Sequence, residues 1–185
     1  MTMPVEMARR HRPLVVLLGP TAVGKSRVAI QVAKHLNTEI LTADSRQVYR
    51  GMDIGTDKPT AVDQQVVPHR LLDLVNPDEA FNTGWYRRTA LEHIERLYAA
   101  GRLPFVVGGT GLYIRTLIRG LCPAPQADPI VRADLKKLRE QAGRTGLYAE
   151  LMRVDPAAAV RLHPNDESKV MRALEVYRLS GRLMS

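Results

Sequence analysis

Residues Gly19 to Ser26 read GPTAVGKS and fit G-x-x-x-x-G-K-[ST], the spacing of a loop that cradles a chain of phosphates. In that pattern the backbone N–H groups of residues 21–26 point at anionic oxygens, Lys25 neutralises the terminal phosphates, and Ser26 offers a hydroxyl to Mg²⁺. A second chemical signal is Asp44, which closes the short apolar segment EILTAD (39–44). In open α/β sheets the ligand lies beyond the carboxyl ends of the strands, so a carboxylate there faces the same crevice as the loop. It suits a general base for a hydroxyl or amine that loses a proton as it attacks, or an outer ligand of magnesium. A helix cap or a surface ion pair is the plainer alternative.

The third signal is something missing. A nucleotide hydrolase carries an acid at the end of another apolar strand, yet LPFVV (103–107) runs into Gly108-Gly109-Thr110. Asp73, in HRLLDL, is followed by leucine and suits that role poorly. Neither a lid with paired arginines nor a water-positioning motif is evident. The machinery for moving a γ-phosphoryl group is incomplete.

These residues need a scaffold, and the apolar pattern supplies one. Leu14–Leu18 reads as a buried strand, 24–36 as the helix after the loop, and 39–44 as a second strand. Residues 45–68 read as a long connection, and His69–Leu74 as a further short strand. A helix capped by Asn82 or Thr83 follows, with Ala90, Leu91, Ile94, Leu97 and Tyr98 on one face and Gly101 as its stop. Leu103–Val107 is the next strand, and Thr110 stands where another helix begins. Strands alternating with helices predict an α/β fold with a parallel sheet around a P-loop.

The character changes at CPAPQADP (122–129). Beyond it every element reads as helix. Asp128-Pro129 and Asp155-Pro156 each place a capping residue before a proline, and a last helix runs from about Asp166 to Leu179 before Gly181. The expected organisation is a basic N-terminal extension (1–13), an α/β core (14–122) and a helical segment (123–185).

Composition narrows the setting. The one cysteine, Cys122, rules out an internal disulfide and a cysteine-rich metal site, and it fits a reducing compartment. No apolar run approaches the roughly 18 residues needed to cross a bilayer, and the N-terminus lacks the apolar region of a signal peptide. A cytoplasmic protein is expected. The net charge of +8 is spread along the chain rather than gathered in a run, which fits an arginine-rich enzyme as well as a nucleic-acid binder. His69 and His163 fit no metal spacing and read as structural hydrogen-bonding groups.

Taken together, GPTAVGKS, ADSRQVYRGMDIGTDKP (43–59), PHRLLDL (68–74), VGGTGLYI (107–114) and HPNDESKVMRALEVYRLSG (163–181) resemble the tRNA dimethylallyltransferase family, collinearly over about residues 14–181. The resemblance implies a kinase-like P-loop core carrying a helical insertion that grips the anticodon stem. It implies transfer of a dimethylallyl group from dimethylallyl diphosphate to N6 of the adenosine just 3′ of the anticodon. Diphosphate is then the leaving group, held by Gly19, Pro20, Thr21, Ala22, Val23, Gly24, Lys25 and Ser26 with Mg²⁺. An acid that activates water is not needed. By the same resemblance Asp44 takes the N6 proton, Thr21 and Lys25 assist at the diphosphate, and Asp44, Ser45, Arg46, Gln47 and Thr110 meet the extruded adenosine. Arg132 and Ser168, Lys169, Val170, Met171 and Arg172 are assigned to tRNA. Helical spacing puts Val170, Leu174 and Tyr177 on one face of the last helix, with Ser168 and Arg172 opposite.

Family members run well beyond 185 residues, so core and insertion are both expected to be incomplete, in an enzyme that is a monomer at full length. Two other readings stay open on the residues alone. One is a small-molecule kinase with ATP in the loop and Asp44 as base. The other is a nucleotide-binding regulatory module without catalysis.

Overall fold

Alternate residues of the central strands pack on opposite faces of one parallel sheet. The structure, a computed structural model, describes residues 12–121 and 123–185, so the extension expected over 1–13 and Cys122 lie almost wholly outside it. Two compact units divide at Leu121. The first holds strands β1 (Val15–Leu18), β2 (Ile40–Ala43), β3 (His69–Arg70) and β4 (Phe105–Gly108), all parallel, in the order β1-β4-β2-β3. On one face Ile40, Phe105 and Val107 meet Ala29 and Ala33 of helix α1 (Lys25–His35). On the other face Leu41, Ala43 and Val106 meet helices α3 (Thr83–Ala99) and α4 (Gly111–Arg119). Each Ile, Leu, Val or Phe side chain buried in this way contributes roughly 1.5–3 kcal/mol. Tyr86 of α3 stacks on Tyr113 of α4 with ring centroids 4.0 Å apart, which fixes α4 and the residues that lead into it.

Three sequence expectations change here. Leu14–Leu18 reads as buried, but β1 pairs only with β4 and is half-buried, with Leu18 55% exposed. The strand expected over His69–Leu74 ends after Arg70, because Leu71 and Asp73 take left-handed backbone angles (φ 66° and 52°) that no strand residue adopts. The connection 45–68 is not structureless. It contains helix α2 (Ala61–Val66), opened by a capping box in which Thr60 and Asp63 satisfy each other's backbone N–H groups.

The second unit is helical throughout its described residues: α5 (Pro129–Val154), α6 (Pro156–Arg161) and α7 (Glu167–Ser180). Gly143 (φ 68°, ψ −176°) kinks α5 into two segments. Asp128, Asp155 and Asp166 accept the first free N–H groups of α5, α6 and α7, and each such cap is worth about 1 kcal/mol. Leu135, Leu147, Leu151, Ala159, Val170 and Leu174 form its core.

Candidate active site

Strand register sets the geometry. Leu18, Gly108 and Ala43 stand side by side, so the chain leaves three adjacent strands at one level. Gly19, Gly109 and Asp44 therefore begin three neighbouring loops.

The loop after β1 turns through Ala22 (φ 64°) and Gly24 (φ 80°) into α1, whose N-terminus carries no side-chain cap. Uncapped N–H groups at the start of an eleven-residue helix suit an anion. Lys25 folds back over the loop and donates to the Pro20 carbonyl, while Thr21 and Ser26 are exposed.

After β2 the chain makes a tight turn organised by Asp44. Its Oδ1 accepts the N–H groups of Arg46 (2.8 Å) and Gln47 (3.3 Å). The Thr110 hydroxyl accepts the Ser45 N–H (2.9 Å) instead of capping α4, so Thr110 is not a plain helix cap. Gln47 Nε2 donates to the carbonyls of Thr56 (2.9 Å) and Asp57 (3.0 Å), folding the following loop back over the turn. That loop is pinned by Lys58, whose side chain is 3% exposed and donates to Asp53 (2.6 Å), Asp73 (2.7 Å) and the Tyr49 carbonyl (2.9 Å). Desolvation favours the neutral amine, but the two carboxylates outweigh it and hold the Lys58 pKa above its ordinary value.

Loop and turn enclose a cavity of about 290 Å³. Thr21, Ala22, Gly24, Lys25 and Ser26 line it together with Asp44 and Gln47, and Ala29, Ile40 and Val107 give it an apolar component. Gly19, Pro20, Val23, Ser45 and Thr110 do not line this cavity. Arg46 faces a neighbouring cavity of about 430 Å³ formed with Gly51–Thr56. Arg27 and Asp57, which the sequence reading leaves unassigned, and His69, which it reads as structural, also line the first cavity. Asp57 and His69 both lie in segments that carry the family resemblance, but neither is given a role there; the loop of residues 51–58 brings Asp57 to the cavity and the pairing of β3 with β2 brings His69. His69 Nδ1 lies 2.8 Å from the Val67 carbonyl, the structural hydrogen bond expected of it, and burial pushes its pKa below the ordinary value.

In the helical unit only some of the residues assigned to RNA share a surface. Val170 is 1% exposed inside the core, so its side chain cannot meet a polynucleotide. The helical period that groups it with Leu174 explains why. Met171 is half-buried against the same core. Ser168 and Lys169 are exposed, with Lys169 paired to Asp166. Arg132 and Arg172 both bind the buried carboxylate of Glu175, at 2.8 and 2.7 Å. Together with Ser168 and Met171 they line a cavity of about 430 Å³.

This arrangement can be set beside known proteins. A family model described as IPP transferase matches residues 47–185, and one described as isopentenyl transferase matches residues 13–73. The chain is 51% identical over 173 residues to a tRNA dimethylallyltransferase of Methylococcus capsulatus, covering 94% of this chain and 55% of that protein. It is 49% identical over 172 residues to one of Geobacter sulfurreducens, covering 93% and 55%. The chain thus spans about half the length of these curated relatives. Among solved structures, the full-length tRNA isopentenylpyrophosphate transferase of Bacillus halodurans is 42% identical with a TM-score of 0.61, over 92% of this chain and 57% of that one. A eukaryotic dimethylallyltransferase described as acting on tRNA is 30% identical with a TM-score of 0.78, over 92% and 42%. The motifs around the cavity and the match across most of the chain agree, and the chain belongs to the IPP transferase family, that of the tRNA dimethylallyltransferases it resembles.

Proposed function

We propose that this chain carries the donor site and the acceptor base of a tRNA prenyltransferase. The enzyme moves a dimethylallyl group from dimethylallyl diphosphate to N6 of the adenosine 3′-adjacent to the anticodon and releases diphosphate. The observation that carries this reading is one cavity shared by the 19–26 loop and Asp44, with apolar Ala29, Ile40 and Val107 in the same lining.

The N6 lone pair attacks allylic C1 as the C1–O bond breaks, and that bond's electrons leave with diphosphate. The loop N–H groups, the N-terminus of α1 and Lys25 stabilise the charge that grows on the departing oxygens, with Thr21 beside them. Asp44 Oδ1 is committed to the Arg46 and Gln47 N–H groups, so Oδ2 is the oxygen left to take the N6 proton. The exocyclic amine lies inside the stack of an RNA loop and must be turned out to reach this carboxylate. Ser45, Arg46, Gln47 and Thr110 are the proposed contacts to that nucleotide. Arg132, Ser168, Lys169, Met171 and Arg172 are the proposed contacts to the rest of the tRNA.

Magnesium fits the donor set. The described residues hold no cluster of three or more His, Cys, Asp or Glu, and the exposed Ser26 hydroxyl beside a diphosphate suits an ion that takes few protein ligands and many phosphate oxygens. Bound at Ser26, it would supply further neutralisation of the leaving diphosphate. No helix among the described residues is long and apolar enough to cross a membrane. The proposed location is the cytoplasm, and the proposed state of the full-length enzyme is a monomer.

Membership of the IPP transferase family weighs against the kinase reading. Isothermal titration separates the two, since dimethylallyl diphosphate is expected to bind this chain and ATP to bind far more weakly. A prenyl-transfer assay on undermodified tRNA, run on a relative-length form, then tests the reaction. Preferential ATP binding with no transfer would sink the proposal.

A further inference from the structure

The helical unit contains a carboxylate that sequence reasoning passed over. Glu175 has a fully buried side chain and accepts from Arg132 Nε (2.8 Å) and Nη2 (3.3 Å), Arg172 Nη1 (2.7 Å) and the Asp128 N–H (2.9 Å). Arg172 Nη2 donates in addition to the Pro125 carbonyl at 2.7 Å. Two guanidinium groups are thus held from behind by one negative charge, which leaves a net positive charge at their outer edge. Their rotamers are already chosen, so little side-chain entropy remains to be lost when an anion arrives.

Both arginines line the cavity of about 430 Å³ described above, and Lys136 lines it with them. Lys136 lies one helical turn beyond Arg132 on α5, and Ser168 one turn before Arg172 on α7, so two pairs of donors face one hollow. Lys136 is exposed and makes no ion pair among the described residues. The acid among the lining residues, Glu167, is engaged by Arg139 (3.2 Å) and Arg144 (3.4 Å). The hollow therefore presents three cations and a hydroxyl, with its one carboxylate already occupied.

We propose that Arg132, Lys136, Ser168 and Arg172 form a seat for one phosphodiester group of the RNA backbone, with Lys136 as a contact that no motif marks. The proposal rests on the reading that the substrate is tRNA. It predicts affinity without base selectivity at this point, because phosphate contacts position a polynucleotide and do not read it.

The adjacent lysine provides the control. Lys137 pairs with Asp134 at 3.7 Å and does not line the cavity, yet Lys137→Gln changes the net charge by the same amount as Lys136→Gln. Binding of undermodified tRNA to the 185-residue chain is measured by fluorescence anisotropy across a salt series, with circular dichroism confirming that each variant is folded. Lys136→Gln is expected to weaken binding about five- to tenfold near 0.1 M salt and to reduce the slope of log K against log salt by about one. Lys136→Arg is expected to keep both, and Lys137→Gln to change neither appreciably. Equal effects from the two glutamine variants, or no effect from Lys136→Gln while wild-type binding is intact, would overturn the seat and leave the proposed function standing. Absence of salt-dependent tRNA binding by the folded wild-type chain and by a relative-length form alike would overturn both.

Discussion

The Thr110 hydroxyl accepts the Ser45 N–H at 2.9 Å, and the Thr110 N–H donates to the Ala43 carbonyl at 3.0 Å. One residue at the head of α4 thus holds the chain on both sides of Asp44. Thr110→Val keeps the shape and removes the acceptor. Because Ser45 is exposed, water can satisfy its N–H, and the stability loss should stay near or below about 1 kcal/mol. Transfer should fall well beyond that, and Thr110→Ser should restore it. Thermal melts beside single-turnover prenyl transfer separate the two effects. Parallel losses in melting temperature and rate would reduce Thr110 to a structural tie.

Asp44 has two tasks on two oxygens. Oδ1 organises the turn, and Oδ2 is the proposed base. Asn keeps an acceptor for the Arg46 and Gln47 N–H groups and loses the basic oxygen, whereas Ala loses both. Asp44→Asn should therefore cut turnover by about 10²–10⁴ while the melting temperature and dimethylallyl diphosphate affinity stay near wild type. Asp44→Ala should lose stability as well. Near-wild-type turnover in the Asn variant would assign Asp44 to the turn alone.

Acid should loosen the helical unit through Glu175. Burial on its own raises this carboxyl's pKa, but hydrogen bonds from Arg132, Arg172 and the Asp128 N–H outweigh it and leave the pKa below the ordinary value. A depressed folded-state pKa stabilises the native state fully above the unfolded value, near about 4.3, and that stabilisation is lost as pH falls through the folded value. Glu175→Gln should thus be less stable than wild type at pH 7, with the gap narrowing below about pH 4. Melting temperatures across pH 3–7 measure this, and a gap constant with pH would show that the ionised carboxylate is not what joins α5 to α7.

The parts of this fold written in local sequence were legible there. Short continuous apolar runs, Asp-Pro pairs and the 19–26 spacing each express a preference that residues within one turn or strand satisfy together. Strand order is not such a preference, which is why Leu14–Leu18 reads as buried although β1 is half-buried and pairs on one side only. The left-handed angle at Asp73 is equally hidden, because residues distant in sequence hold it: Lys58 reaches its carboxylate and the Gln47 carbonyl accepts its N–H. Glu175 reads as one more charge on a helix until Arg132, 43 residues away, is seen against it. The Thr60/Asp63 capping box was readable, but the Gly, Asp and Pro around it read as loop. Val170 was counted with RNA contacts on resemblance, although its helical phase already placed it with Leu174 in the core.

Gly108 and Gly109 look interchangeable in the sequence, and the structure separates them. Gly108 ends β4 between Leu18 and Ala43, and a Cβ there would lie 2.1 Å from the Ala43 carbonyl oxygen and 2.5 Å from its carbon. No rotamer relieves that contact, since both atoms are backbone. The nearest atom to a Cβ on Gly109 is the Gly19 carbonyl oxygen, at an ordinary 3.5 Å. Gly108→Ala must therefore push the end of β2 away from β4, at about 1–3 kcal/mol for the forced displacement. The same carbonyl accepts the Thr110 N–H and directly precedes Asp44, so the base moves with it. Transfer by Gly108→Ala should fall at least as far as in Thr110→Val even at temperatures where the variant is fully folded. Gly109→Ala should melt within about 0.5 kcal/mol of wild type, as substitutions away from such contacts usually do. Melting curves and single-turnover rates for the two variants, taken side by side, test this, and a Gly108→Ala protein as stable and active as Gly109→Ala would show that β2 and β4 are not packed this closely beside Asp44.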